Sequence, residues 1–308
     1  MNAIDPSVMA DPVTGKWWMH YGSFFGGLYC VELDPETGLP AEEGDQGHLT
    51  ARRANYQKDN LEAPEIIYNP DLKQYYLFVS YDPLMTTYNV RVGRSDKAEG
   101  PFVDFSGVEL KDTTNNFPIL TAPYRFHNHP GWAGTAHCSV FTSDEGQYFM
   151  AHQGRLSPHN QMMDLHLRQV FFTPDGWPVV SPERYTGCVS RKFSAEDMAG
   201  EWEVIRIQEP AYERRLQAGQ ILWGEGQLKE EEWNVSHLLS LEKNGHLGEN
   251  KGTWELLEAK QLLSLTLEGE IINNLIIFAG HDWENEKETV LFTGLDSCGR
   301  SIWGKRIK

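Results

Sequence analysis

The sequence has few cysteines, little positive charge and no long apolar run, and each shortage removes a class of function. Cys30, Cys138, Cys188 and Cys298 stand far apart with no Cys-x-x-Cys pair, which argues against a zinc site or a dense disulfide scaffold. Lys and Arg total 27 against 44 Asp and Glu, a formal charge of −17. A polyphosphate would meet a repulsive field, so nucleic acid is not expected as a partner. No segment reaches the ~18 apolar residues needed to cross a bilayer, and the N-terminal stretch has no basic segment followed by an apolar run. Neither a membrane partner nor an export signal is expected in this chain.

What is present points to β-structure. The chain has 308 residues, 40% of them hydrophobic, which is enough to bury a core. Aromatics make up 12%. They suit β-sheet cores, and their flat faces also suit sugar rings. Val8-Met9-Ala10, a turn at Asp11-Pro12-Val13-Thr14-Gly15, Trp17-Trp18-Met19-His20-Tyr21, Gly26-Gly27 and Leu28-Tyr29-Cys30-Val31 read as an antiparallel meander. The pattern returns with Ile66-Ile67-Tyr68, Asn69-Pro70-Asp71, Tyr75 to Val79 and Tyr88 to Val92. It returns again with Ser139-Val140-Phe141, Ser143 to Gly146, Tyr148 to Ala151 and Leu165 to Arg168.

Three copies of one four-stranded unit imply blades of a β-propeller, in which equivalent positions converge near the axis. A polar residue precedes each copy: Asp5, Glu62 and His137. The second strands begin at Trp17, Tyr75 and Tyr148, which lie 12, 13 and 11 positions further on, so the three polar residues are expected to share one cavity. From about residue 200 a new alternating series begins, including Glu201 to Ile207, Leu262 to Leu267, Leu275 to Ala279, Thr289 to Thr293 and Ser301 to Lys305. It suggests a small closed barrel or sandwich. The chain divides accordingly at 1–190 and 197–308. Glu230-Glu231-Glu232 is expected to be a solvated turn or short helix end, and His281-Asp282 a loop of the second domain.

Two carboxylates from different blades facing one cavity are what glycoside hydrolysis needs, one giving a proton to the leaving oxygen while a base activates water. Asn2-Ala3-Ile4-Asp5-Pro6-Ser7-Val8, Tyr21-Gly22-Ser23-Phe24, Leu61-Glu62-Ala63-Pro64, Asn89 to Ser95, Gly131 to Ser139 and Asp175 to Val179 together resemble the arabinanases of glycoside hydrolase family 43. Glu288 to Leu295 followed by Ser301 to Lys305 resembles the C-terminal barrel of the two-domain, secreted endo-arabinanases.

The resemblance implies an all-β fold: part of a five-bladed β-propeller, about three blades of it present, followed by a small, lipocalin-like C-terminal β-barrel. It implies inverting hydrolysis of the α-1,5-linked arabinofuranose backbone of arabinan or arabino-oligosaccharide, outside the cell or in the periplasm. Glu62 would be the general acid, protonated when substrate arrives. Asp5 would be the second carboxylate, modulating that acid and positioning sugar. His137 would stand near the axis beside Ca²⁺ or another hard cation, directly or through water, although Ala136 replaces the family's glycine there. No organic cofactor is expected. Asn2, Ser23, Phe24, His166 and Arg168 are substrate-binding candidates, the last two because they alternate on one strand face. Structural alternatives stand beside these roles: Asp5 could open a turn, Glu62 could be a strand-edge carboxylate, His137 and Phe24 could pack in the core, and His166 and Arg168 could be structural.

The family's general base is an aspartate on the first blade, upstream of the Asn-Ala-Ile-Asp-Pro motif, and only four residues precede Asp5. Three blades cannot close a ring, because open sheet edges and apolar faces would meet water. An N-terminal segment, a separate chain or a second copy is therefore expected to complete the propeller. Two alternatives follow: an exo-acting arabinofuranosidase or xylosidase of the same family, or a carbohydrate-binding fragment unable to activate water.

Overall fold

The computed structural model describes residues 2–53, 60–112, 116–189, 191–209, 227–267 and 269–308. The first sheet is an antiparallel meander of β1 (Ser7–Ala10), β2 (Trp17–Ser23), β3 (Gly27–Leu33) and β4 (His48–Ala51). The second repeats it with β5 (Leu61–Asn69), β6 (Gln74–Tyr81), β7 (Asn89–Ser95) and β8 (Ile119–Thr121). β9 (Tyr124–Arg125) and β10 (Trp132–Ala133) lead into the third meander, β11 (Ser139–Thr142), β12 (Tyr148–Leu156), β13 (Asp164–Phe172) and β14 (Pro178–Val180).

The first hairpin of each meander turns on a side-chain acceptor. Asp11 Oδ1 accepts from Val13 N at 3.0 Å, Asn69 Oδ1 from Asp71 N at 3.0 Å, and Ser143 Oγ from Glu145 N at 3.3 Å. Such residues satisfy the backbone locally and so favour the turn over strand continuation. β6 is apolar on both faces, and the packing explains why. Tyr76 and Phe78 enter the core shared with the third meander, while Tyr75, Leu77, Val79 and Tyr81 enter the core shared with the first. The second sheet is thus sandwiched, and a doubly buried strand loses the alternation of polar and apolar residues.

A one-turn helix α1 (Ala195–Met198), capped by Ser194, precedes the barrel. The barrel strands are β15 (Gly200–Arg206), β17 (His237–Leu241), β18 (His246–Leu247), β19 (Gly252–Leu257), β20 (Leu262–Leu267), β21 (Glu270–Asp282), β22 (Lys287–Leu295) and β23 (Ser301–Arg306). Pairing of β23 with β15 closes it. In the chain between β15 and β17, β16 (Asn234–Val235) stands outside the barrel and pairs in parallel with β9.

Barrel and meanders share a core. Ile205, Ile207 and Trp303 belong to the same buried cluster as Tyr124, Phe126 and Val180. Trp303 meets the Tyr124 ring edge-on at 5.3 Å, and Thr293 Oγ1 donates to the Val180 carbonyl at 2.8 Å. At the same junction the ammonium of Lys305, fully buried, reaches Glu183 at 2.8 Å, Asp282 at 3.1 Å and also Glu284.

Two expectations change here. Asp282 is not in a loop: it ends β21 opposite Lys287 and is buried, because its carboxylate is needed by Lys305. Glu230–Glu232 forms a 3₁₀ turn as expected, but Glu232 is buried and its Oε2 accepts from Lys229 N at 2.7 Å, so that turn is not wholly solvated.

Candidate active site

The three meanders bring their first strands β1, β5 and β11 side by side, and a repeated backbone feature precedes each. Asp5, Ala63 and His137 all adopt left-handed φ values, 54°, 51° and 55°. Non-glycine residues there cost of order 1 kcal/mol, so a threefold recurrence marks a geometry imposed by the fold. The equivalent residues are therefore Asp5, Ala63 and His137, and Glu62 lies one position earlier. The spacing agrees: Tyr75 is 12 positions after Ala63, as Trp17 is after Asp5. The extra residue is taken up by a bulge, since Glu62 pairs with Ser80 and Glu65 with Phe78.

That offset separates the roles. Asp5 and His137 line an open cleft of about 530 Å³ together with Pro64, Glu65, His152 and Gln153. Glu62 is buried, 8% exposed. Ser23 Oγ, delivered by β2, donates to its Oε2 at 3.1 Å, and the Tyr88 hydroxyl donates to its Oε1 at 2.5 Å. The same hydroxyl lies 3.4 Å from His137 Nδ1, and His137 N donates to Ser80 Oγ at 2.9 Å. Burial, followed by the neighbouring charges of Glu62 and Asp5, holds the Tyr88 phenol well above its ordinary pKa. It therefore stays a donor, and a line of polar groups runs from Glu62 through Tyr88 to His137 at the cleft. Asp5 Oδ2 is buried without a hydrogen-bond partner among the described residues, which leaves its lone pairs for a ligand hydroxyl.

Glu65 fastens this arrangement. Its Oε2 accepts from Ser7 Oγ at 2.8 Å, and its Oε1 accepts from Ser139 Oγ at 2.8 Å and Val140 N at 3.0 Å. One carboxylate thus ties together the strands that follow Asp5, Ala63 and His137. Ser7 and Ser139 each lie two residues beyond the left-handed position, as Glu65 does, a register signal that the offset of Glu62 concealed.

The remaining candidates divide. Asn2 is half-buried, and its carbonyl accepts from Ile4 N at 3.2 Å at the entry to β1. Phe24 is buried at 7% exposure, and Phe25, with φ 75°, is the exposed aromatic of that turn. His166 and Arg168 do share one strand face, but it is turned to the interior. His166 packs edge-on against Trp132 at 4.4 Å, over Gly154, where any Cβ would come within 2.6 Å of the imidazole. Burial, with nearby His152 and Arg168, pushes its pKa down, so it is neutral. Arg168 donates to His152 Nε2 at 2.9 Å, to the Ser181 carbonyl at 2.8 Å and to the Tyr124 hydroxyl at 2.7 Å. Its guanidinium is spent inside the fold, and it touches the cleft only through His152.

His152 was not singled out from the sequence. Burial and Arg168 push its pKa down to about 3, which fixes a neutral ring with Nδ1 donating to the Gln153 carbonyl at 2.6 Å. Beside His137 the cleft also presents the carboxylates of Asp5, Glu65 and Asp164. Among the described residues the one group of three carboxylates able to share an ion is Glu183, Asp282 and Glu284, which surrounds Lys305 instead.

Residues 1–178 match the family model of the glycosyl hydrolases of family 43. The chain belongs to that family. Residues 182–304 match the C-terminal lipocalin-like domain found with it. Among family 43 relatives, the chain is 27% identical over 327 residues to an extracellular endo-α-(1→5)-L-arabinanase of Bacillus subtilis, covering 99% of this chain and 64% of the relative. It is 30% identical over 330 residues to an extracellular endo-α-(1→5)-L-arabinanase of Thermotoga petrophila, covering 100% and 64%. The chain thus spans 64% of the length of these relatives. A crystal structure of the endo-1,5-α-L-arabinanase from Thermotoga petrophila superposes with a TM-score of 0.81 at 27% identity, covering 100% of this chain and 68% of the other. An extracellular exo-α-(1→5)-L-arabinofuranosidase of Cellvibrio japonicus is 28% identical over 203 residues, but that match covers 62% of this chain and 55% of the relative.

Proposed function

We propose that this chain carries the acid half of an inverting arabinan hydrolase that cleaves the α-1,5-linked L-arabinofuranose backbone outside the cell. The observation that carries the reading is the Glu62 carboxyl, held by Ser23 and Tyr88 below a cleft that presents Asp5 and His137. In the step proposed, the glycosidic C–O bond breaks and its oxygen takes a proton from Glu62. Water adds to the anomeric carbon from the opposite face and gives its proton to a base. Asp5 Oδ2 and the His137 ring bind and orient the sugar. A hard cation at His137 would hold its remaining coordination through water, and no step depends on it.

The base is proposed to come from a partner that closes the propeller: a further propeller segment or a second copy of this chain. Apolar side chains on the faces turned away from the second sheet support this. Val8 is 48% exposed on the first sheet, and Phe141 and Leu165 are 46% and 80% exposed on the third. The extracellular site follows the printed names of the relatives that cover the whole chain. Endo action is favoured because those full-length matches include the barrel, whereas the exo-acting relative matches only part of the chain.

The test is reducing-sugar release from linear arabinan by this chain, alone and with the completing segment supplied. Hydrolysis that needs the segment and falls about 10²–10⁴-fold in Glu62→Gln is the expected result. Hydrolysis by the chain alone at unchanged rate places the base within it. Monomer as the sole early product assigns exo action, and binding without turnover in every combination overturns the hydrolase reading.

A further inference from the structure

Among the described residues, the barrel is not filled at one end. A cavity of about 420 Å³ opens there, lined by Val204, Leu239, Leu265, Leu267, Ile272 and Ile302. Four of these, Leu239, Leu265, Ile272 and Ile302, are at most 5% exposed and belong to the barrel core, so the floor is apolar and shielded from water. An eight-stranded barrel is wide enough either to be packed by its own side chains or to hold one small ligand. Here Trp202, Phe292 and Val290 contribute to the packed core, and the described residues leave open the end lined by Leu265 and Ile272.

The mouth is lined by basic groups. Its ionisable lining groups are Arg206, His237 and Lys251, and no carboxylate lines it among the described residues, in a chain whose formal charge is −17. Arg206 pairs with Glu270 at 2.9 Å, both partly exposed, and stands 3.8 Å from the buried Asp296, whose closer partner is Arg300 at 2.6 Å, while Lys251 pairs with the exposed Glu249 at 2.9 Å. Exposed pairs such as Arg206–Glu270 and Lys251–Glu249 hold weakly, so either cation can turn from that exposed partner to a ligand anion at small cost.

We propose that the open barrel end binds an amphipathic monocarboxylate, its apolar chain on the floor of Leu265, Ile272 and Ile302 and its carboxylate between Arg206 and Lys251. Displacing poorly ordered water from an apolar floor favours the chain, and the basic mouth selects the head group. This site lies in the barrel, apart from Asp5, Glu62 and His137, so it stands or falls independently of the proposed hydrolysis.

The experiment is isothermal titration calorimetry of the full chain with decanoate, decanol and decylammonium, each below its micellar concentration. The expected result is one saturable decanoate site, bound at least about tenfold more tightly than decanol, with decylammonium weakest. Arg206→Gln combined with Lys251→Gln should bring decanoate down to the affinity of decanol. Leu267→Trp, at the half-buried wall, and Ile272→Trp, at the floor, should each weaken decanoate at least about tenfold. Circular dichroism checks that each variant is folded, and Leu267→Trp serves if Ile272→Trp is not. Absence of a saturable decanoate site, or wild-type binding in a folded Leu267→Trp variant, overturns the proposal. Equal binding of decanoate and decanol overturns the assignment of the carboxylate.

Discussion

The chemistry proposed for Glu62 rests on two hydroxyl donors from different sheets. Ser23 comes from the first sheet and Tyr88 precedes β7 of the second, so the carboxyl orientation depends on how those sheets are seated. Tyr88→Phe leaves the ring packing in place and removes one donor. It is expected to lower kcat on linear arabinan about tenfold to a hundredfold with little change in KM, measured by steady-state kinetics on the completed enzyme. If the hydroxyl only supports folding, the melting temperature changes and kcat does not. His152 makes the complementary case: its ring is held neutral between Arg168 and a carbonyl, so it can give the cleft a fixed wall without adding charge.

At the scale of elements, β1, β5 and β11 are held in register by Glu65. Its three bonds cross from the second sheet to both neighbours, and each joins a charged acceptor to a neutral donor. Glu65→Ala is expected to cost about 2 kcal/mol, read from urea denaturation, because the site is half open and water replaces part of what is lost. Glu65→Gln should recover part of that loss, since serine hydroxyls can rotate to meet an amide.

The buried histidines act through the packing of these elements. His20, whose Nε2 lies 2.9 Å from the Ala98 carbonyl, has its pKa pushed down to about 4 by burial, and His152 to about 3. Their ordinary value is 6.5, so below that pH the unfolded chain binds protons that the folded chain refuses. Stability from this source is complete above pH 6.5 and is lost as pH falls toward 4.

For the whole molecule, the junction of meanders and barrel depends on Lys305. One ammonium faces Glu183 from the segment after β14, Asp282 from β21 and Glu284 from the turn after it, with the Phe126 ring 3.9 Å away. Burial pushes Glu183 up to about 8, against Lys305, and folding therefore favours a proton there. The sign is opposite to that of the histidines: stability from Glu183 falls as pH rises from about 4.5 toward 8. The melting temperature is expected to peak near pH 6.5, measured by calorimetry across pH 4–8.5. Glu183→Gln should flatten the alkaline side and His20→Gln the acid side. Lys305→Met should cost about 3–5 kcal/mol, because it leaves buried carboxylates without their cation. That loss appears as a lowered urea midpoint for the junction.

Much of this was legible in the chain. Turn residues at Asp11, Asn69 and Ser143, followed by alternating strands, were enough to count three meanders and to mark a second all-β domain. Strand geometry is local: residues of period two and side-chain-capped turns identify themselves without reference to distant parts. The depth of each side chain is not local. His166 and Arg168 alternate as substrate-facing residues would, yet their face meets Trp132, Tyr124 and Trp303, and a strand cannot specify which neighbour will cover it. Phe24 and Phe25 exchange places for the same reason. The bulge that sinks Glu62 below Asp5 and His137 arises only when β5 is seated between two sheets. Local preferences therefore determined the elements and named the carboxylates, and tertiary packing decided which of them are buried and which face the cleft, because burial is a property of neighbours.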